Sequence, residues 1–168
     1  MAAIFSKVAP LIIAAEGGES KSRADYGGET KYGISKQEYP NEDIKNLTPE
    51  RALAILEADY WQPYHLSEIS DQTIANQCFF LFVNMNPEHA AQIIQAAVNG
   101  VGRTIIAVKV DGIMGAATVE AINSLVPYWL SDRLRVESCR YYLKRVDQDR
   151  SQEENFVGWI RRVVGDRV

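Results

Sequence analysis

The chain has 168 residues, of which 46% are hydrophobic and 24% charged, and this size and composition suit one globular domain with a small appended module. Its formal net charge of -4 excludes a broad basic face, so we expect no binding of nucleic acid. No apolar run approaches membrane-spanning length, so we expect no stable membrane insertion.

The first predicted helix covers residues 4–15 and bends or begins near Pro10, because proline cannot donate a hydrogen bond inside a helix. Lys7 and the apolar residues after it imitate a weak signal peptide. Cleavage after Ala15 would discard this helix, and the start of the chain lacks a basic cluster. We therefore predict that no signal peptide is present.

A short strand or hairpin is predicted next, over residues 29–34. The alternating pattern places Thr30, Tyr32 and Ile34 on one face, as in a strand with one buried side. A capping-box pattern that begins at Ser35 then predicts a single short turn of helix.

The remainder of the chain has helical patterns, so the predicted fold class is mainly α. The strongest helix start is Thr48-Pro49, a capping hydroxyl followed by proline at the first helical position. Phe156 and Trp159 are expected to close the core from the last helix. Helices are expected over about residues 49–60, 71–83, 87–100 and 128–146, with one ending at residue 125 and a last one over residues 156–163.

A boundary between a catalytic part and an accessory part is expected near residues 84–87, which gives parts of residues 1–85 and 86–168. Each part is small for a stand-alone core, so the two are predicted to pack together. Cys78 and Cys139 fall in predicted helices and are expected to be free thiols.

Three polar side chains near the first helix suggest chemistry. Glu16 ends that helix, where backbone carbonyls carry partial negative charge, so its pKa should rise and suit a proton donor. Asp25 lies in a glycine-punctuated loop, and Thr30 follows on the strand. Two carboxyl groups in unlike environments are what glycosidic bond cleavage uses. A helix end, a turn residue and a strand filler would explain the same spacing, which by itself leaves both interpretations open.

The segment that contains these residues carries a family resemblance. Residues 16–35 read EGGESKSRADYGGETKYGIS. This segment resembles the glycoside hydrolase 108 muramidases, whose members share an E-G-G element followed by D-x-G-G-E-T-x-Y-G-I-S. The similarity continues at Tyr39-Pro40 and at Tyr60-Trp61.

The second half of the chain extends the resemblance. Residues 110–118, VDGIMGAAT, resemble the D-G-x-x-G-x-x-T element of a peptidoglycan-binding module, and residues 156–163, FVGWIRRV, are similar to its closing helix. The Asp111-Gly112 pair lacks the further oxygen ligands of a calcium loop, so we interpret it as a structural turn before the next helix.

The resemblance implies a lysozyme-like helical fold with a short β-hairpin near the active site. It also implies hydrolysis of the bond between N-acetylmuramic acid and N-acetylglucosamine in peptidoglycan glycan strands. Glu16 would be the catalytic acid, Asp25 would orient water or stabilise positive charge, and Thr30 would help to place that water. No cofactor is implied. His65 and His89 stand without partner ligands in the sequence, so no metal site is predicted.

Three more side chains are candidates for substrate binding. Tyr32 and Trp61 could stack on sugar faces, because aromatic rings offer an apolar body with a polar tip. Core packing is the alternative for both rings. Glu29 belongs to the matching motif, but strand alternation points it away from Thr30, which favours an orienting or structural role.

Two other functions compete with the muramidase interpretation. One is a non-catalytic peptidoglycan-binding protein, and the other is a lytic transglycosylase, which closes an anhydro ring instead of admitting water. Without a signal peptide, the protein is expected to be made in the cytoplasm. It would act on the cell wall in the periplasm or outside after release by a holin, a secretion system or host lysis.

Overall fold

The computed structural model describes residues 2–16, 30–102 and 106–165. They form two compact units: the first unit is Ile4–Pro63, and the second unit is Tyr64–Val168 together with Met1–Ala3. The N-terminal residues join the second unit through a hydrogen bond of 2.9 Å from the Ala3 amide to the Ile69 carbonyl. The predicted boundary near residues 84–87 stays a prediction.

In the first unit, the predicted first helix is divided in two. A 3-10 turn, Phe5–Lys7, precedes helix α1, Ala9–Glu16. Pro10 is the second residue of α1, where its missing N–H group would have no partner within the helix in any case. The division near Pro10 therefore agrees with the prediction.

The predicted hairpin is present, with strands β1, Thr30–Lys31, and β2, Ile34–Ser35, paired antiparallel so that Thr30 lies opposite Ser35. Tyr32 and Gly33 form its two-residue loop, and their φ angles are 54° and 78°. Positive φ at both loop positions is the signature of a type I′ turn. The expectation that Tyr32 shares a strand face with Thr30 and Ile34 was wrong, because Tyr32 lies in the turn.

Helix α2, Pro49–Leu56, begins as predicted, with the Thr48 hydroxyl accepting a hydrogen bond of 3.3 Å from the Arg51 amide. A π-helical turn, Glu57–Trp61, extends it. The core of the first unit includes Phe5, Ile34, Ile44, Leu56 and Trp61.

The described residues of the second unit contain the α-helices α3, Gln72–Asn84; α4, Pro87–Gly100; α5, Ala116–Asn123; α6, Pro127–Gln148; and α7, Glu153–Gly165. Asp71 and Asn86 cap the starts of α3 and α4 by accepting hydrogen bonds from the Ile74 and Glu88 amides. Helices α3, α4 and α6 pack on one another.

The last helix differs from expectation. Within the described residues of α7 no side chain is buried, and Trp159 and Phe156 are half-buried. The Trp159 ring stacks on Tyr142 of α6 with centroids 4.9 Å apart, and the Arg145 guanidinium lies 5.5 Å from the same ring. Helix α7 therefore covers α6 from outside and does not close the core, so that prediction was wrong.

The mainly α fold class with a short hairpin is confirmed. Cys78 of α3 and Cys139 of α6 are free thiols, also as predicted. Among the described residues, no helix has the length and apolar character needed to cross a membrane.

Candidate functional site

The described structure reaches both ends of the segment that holds the predicted catalytic residues. Glu16 is the last residue of α1, and Thr30 is the first residue of β1. The Glu16 side chain, Asp25 and Glu29 lie outside the described residues. The helix-end position predicted for Glu16 is present, and the roles of all three stay predictions.

Thr30 lies on the exposed side of the hairpin, opposite Ser35. The Ser35 hydroxyl donates to Glu38 Oε2 at 3.3 Å and accepts from the Glu38 amide at 3.2 Å. The Tyr39 amide donates to the Ser35 carbonyl at 2.9 Å, which closes one helix-like turn. The predicted single turn of helix is therefore present, with the Glu38 carboxylate bonded to the Ser35 hydroxyl where a full capping box has it bonded to the Ser35 amide.

Tyr32 occupies an unfavourable backbone region. An aromatic residue with φ of 54° is an outlier, because its Cβ crowds the backbone there. The half-exposed ring has the Lys31 ammonium 5.5 Å from its centroid. Such outliers concentrate at functional sites, so the strain supports a functional reason for a tyrosine at this turn.

We expect Tyr32→Asn to raise the free energy of unfolding by about 0.5 to 1 kcal/mol, because Asn-Gly is favoured in type I′ turns. Tyr32→Phe is the matched control, since it keeps the ring and the backbone strain. Thermal denaturation of the two variants measures the difference. Equal stability of the two would show that the turn conformation is not the source of strain. If the ring contacts sugar, the Tyr32→Asn variant should also hydrolyse cell walls more slowly than the Tyr32→Phe variant.

Trp61 is a core residue. Its side chain is 1% exposed, and its ring meets Phe5 edge-on with centroids 5.5 Å apart. A ring this buried offers no face to a sugar, so the structure favours the core alternative over stacking on substrate.

The first unit also contains a polar cluster that the sequence patterns did not identify. The Tyr39 hydroxyl donates to Asp59 Oδ2 at 2.8 Å. Burial is the main cause that raises the pKa of Tyr39, and hydrogen bonding to Tyr60 and Asp59 raises it further. The Tyr39 hydroxyl therefore stays protonated and acts as a donor. The two tyrosines stand at positions where the family resemblance continues, but no periodicity indicates that they meet.

The VDGIMGAAT element is held by one buried side chain, Gln95 of α4. Its Oε1 accepts from the Asp111 and Gly112 amides, both at 3.0 Å, and its Nε2 donates to Asp111 Oδ1 at 2.9 Å and to the Ile113 carbonyl at 3.0 Å. Gly112 has φ of 78°, and a Cβ there would lie 2.5 Å from Glu88 Cγ. The element is thus a structural turn, as predicted.

The two histidines have partners of their own. His65 Nδ1 lies 2.8 Å from Glu68 Oε1, and His89 Nδ1 lies 3.0 Å from the Tyr141 hydroxyl. Within the described part of the chain, no group of three or more metal-ligating side chains could hold an ion. The absence of a metal stays a prediction for the whole chain.

Comparisons with known proteins match both halves of the chain. A family model described as Glycosyl hydrolase 108 matches residues 9–86, and one described as Predicted Peptidoglycan domain matches residues 89–164. Among solved structures, that of Brucella abortus SagA is similar with a TM-score of 0.71 at 21% sequence identity, covering 95% of this chain and 90% of that chain. Among curated proteins, none matches the chain significantly.

These matches agree with the motif resemblance and with the helical architecture. At 21% identity the structural likeness shows the shared fold alone. The two family models together span nearly all of the described residues and give each half its class. Residues 9–86 therefore belong to the glycosyl hydrolase 108 family and residues 89–164 to a peptidoglycan domain, so that the chain, with its mainly α fold, is a peptidoglycan hydrolase.

Proposed function

We propose that the chain is an N-acetylmuramidase that hydrolyses the bond between N-acetylmuramic acid and N-acetylglucosamine in bacterial cell walls. The observation that carries the proposal is the pair of motif elements at residues 16–18 and 25–35, which falls inside the glycosyl hydrolase region, residues 9–86. Glu16 is the last residue of α1 and Thr30 is the first residue of β1, so the helix and the hairpin hold the two ends of the motif.

Glu16 is the general acid in this proposal. It donates its proton to the glycosidic oxygen while the bond from that oxygen to the anomeric carbon breaks. Its position at the carboxyl end of α1 supports the role, because the partial negative charge of the helix end disfavours a second negative charge. A carboxyl group there keeps its proton to higher pH, as a donor requires.

Asp25 and Thr30 act on the water in this proposal. The oxygen of the water bonds to the anomeric carbon while Asp25 accepts a proton from that water. The Thr30 hydroxyl holds the water in place. The exposed hydroxyl of Thr30 on β1 supports its part. Glu29 and Tyr32 lie on either side of Thr30 in the chain and would contact the sugars.

We expect a single displacement with inversion at the anomeric carbon. An inverting pair of carboxyl groups lies about 6.5 to 9.5 Å apart to admit water, whereas a retaining pair lies about 5 to 5.5 Å apart, and the eight-residue spacer between Glu16 and Asp25 is long enough for either distance. Thr30 follows Asp25 closely enough in the chain to share the hydrogen bonds of a water, which favours inversion. Proton NMR during digestion of a soluble β-linked glycan identifies the first product. The α-anomer is expected, and the β-anomer appearing first would contradict inversion.

Two alternatives have different outcomes in simple assays. A non-catalytic binding protein would leave the turbidity of purified cell walls unchanged, whereas the proposed enzyme clears them. A lytic transglycosylase would also clear walls, but it would leave 1,6-anhydro sugar ends. The intact glutamate at the end of α1 favours an enzyme over a binding protein.

Access to the wall is part of the proposal. The protein would be made in the cytoplasm and reach the periplasm or the exterior through a holin, a secretion system or host lysis. Cells that express the chain alone should keep growing and lyse when chloroform permeabilises the inner membrane. Lysis without permeabilisation would show that the chain crosses the membrane unaided.

A further inference from the structure

The second unit exposes two neighbouring aromatic side chains. Tyr128 and Trp129, in the first turn of α6, are 71% and 41% exposed. In the same unit, Phe79 and Phe82 are fully buried. A single exposed apolar residue needs no explanation, but Val126 and Val136 are also exposed beside this pair, and a patch of this kind marks a contact surface.

Two shallow pockets meet on this surface. One, of about 500 Å³, lies between the end of α4 and α6, and the other, of about 430 Å³, lies between the start of α3 and α6. Trp129 lines the first, Tyr128 lines the second, and Asp132 lines both. Each volume is of the size that holds a small ligand or a sugar ring.

Charged groups on α6 flank the two rings. Asp132 Oδ1 accepts from Arg135 Nη1 at 2.9 Å, and Arg133 Nη2 lies 2.9 Å from Glu137 Oε1. A carboxylate and two guanidinium groups therefore lie beside the pockets.

Arg133 is built into the first pocket. A Cβ at Gly100, the last residue of α4, would collide with Arg133 Nε, so the glycine makes room for the guanidinium. Arg133 Nε is buried and has no hydrogen-bond partner among the described residues. Since Nε lies against Gly100 and is closed off from solvent, the guanidinium end of this side chain, which is 31% exposed, is the part that Arg133 offers to a ligand.

This combination fits a saccharide. Pyranose rings have an apolar face that packs on aromatic rings, and their hydroxyl and acetamido groups pair with carboxylate and guanidinium groups. Peptidoglycan also carries carboxylates on its stem peptides, which complement Arg133 and Arg135. Both aromatic residues and both arginines fall inside the region matched by the peptidoglycan domain, residues 89–164.

We propose that Tyr128, Trp129, Asp132 and Arg133 of α6 form a saccharide-binding surface that holds a peptidoglycan glycan strand on the second unit. The proposal rests on the proposed function for the identity of the polymer, but it requires no hydrolysis. Its occupant is the glycan strand, with successive sugar rings stacked on the two aromatic side chains.

The test measures binding without cleavage. The full chain with Glu16→Gln is sedimented with purified insoluble cell walls, and the same chain with Tyr128→Ala and Trp129→Ala added is compared with it. We expect the dissociation constant to rise about tenfold or more on loss of both stacking contacts. N-acetylglucosamine tetrasaccharide should compete for binding and change the tryptophan fluorescence.

Leu143→Ala is the matched control, because Leu143 is an exposed apolar residue of the same helix. It should bind walls as the parent does, and Trp129→Phe should retain most of the binding. Melting temperatures check the fold, and Tyr128→Ala alone decides the result if Trp129→Ala does not fold.

Unchanged binding by the double variant, or an equal loss with Leu143→Ala, would overturn the surface. Binding that the tetrasaccharide does not inhibit would also overturn the surface. So would a double variant that binds phosphatidylglycerol vesicles less well than its parent but binds cell walls as well as its parent. Failure of the parent chain without the Glu16 substitution to clear walls would refute the proposed muramidase and leave these binding results standing.

Discussion

Glu16→Gln should abolish cell-wall hydrolysis, with a rate at least about 100-fold below that of the unmodified chain. The amide is nearly isosteric with the carboxylic acid but cannot give up a proton to the glycosidic oxygen. Because Glu16 lies at the end of α1 and not inside it, the substitution should leave the helix intact. Loss of turbidity of purified walls gives the rate, and circular dichroism with thermal melting checks the fold.

Glu50→Gln is the matched control, since Glu50 is an exposed glutamate in the first turn of α2 in the same unit. It should hydrolyse walls within about twofold of the unmodified chain, as expected for an exposed residue outside the motif at residues 16–35. Retention of more than a tenth of the original rate by Glu16→Gln would remove Glu16 as the general acid.

Gln95→Leu should lower the free energy of unfolding by about 3 kcal/mol. The Gln95 side chain is 1% exposed, and it pairs with the Asp111 and Gly112 amides and with the Ile113 carbonyl. Leucine has a similar volume but cannot pair with any of these groups. Each partly buried group left unpaired costs about 1 to 3 kcal/mol, so several together give a large effect.

Gln92→Leu provides the comparison on the same helix one turn earlier. Its half-buried side chain donates a hydrogen bond of 3.4 Å to Glu88 Oε1, so we expect a loss of about 1 kcal/mol or less. Chemical denaturation measures both variants. If the two lose equal stability, Gln95 does not hold the VDGIMGAAT element in place.

Local signals explain why the helix starts were predictable. Asp71, Asn86 and Thr48 each cap a helix whose first residues follow directly in the sequence, and their hydrogen bonds span two or three residues. A capping side chain bonds to amides in the first turn of its own helix, so short-range geometry determines where the helix begins. The starts of α2, α3 and α4 therefore lie within one residue of the predictions.

The errors at Tyr32 and at helix α7 have different physical causes. The alternating pattern predicted a strand position for Tyr32, which lies in a two-residue turn. Such turns are recognised in a sequence by Asn or Gly, and here a tyrosine occupies the first turn position. The apolar stripe of α7 predicted burial, but whether a stripe enters the core or covers another helix depends on its tertiary partner, here Tyr142.

The Gln95 network shows the same limit. Its partner Asp111 lies 16 residues away, and a polar residue on α4 gives no sign in the sequence that it will be buried. The candidate catalytic residues came instead from the motif at residues 16–35. Their assignment follows from the resemblance of this motif to the glycoside hydrolase 108 pattern, because residue types and spacing alone leave both interpretations open. The distance between Glu16 and Asp25 depends on loop conformation, which no local pattern determines.

The identity of the newly formed sugar ends tests the central claim most directly. Purified cell walls digested by the unmodified chain are reduced with borohydride, and the reduced ends are identified by mass spectrometry. Hydrolysis by a muramidase predicts N-acetylmuramitol, with the ends absent after treatment with Glu16→Gln. Reduced N-acetylglucosamine ends, or 1,6-anhydro-N-acetylmuramic acid ends in place of reducible ones, would contradict the proposed bond and the proposed entry of water.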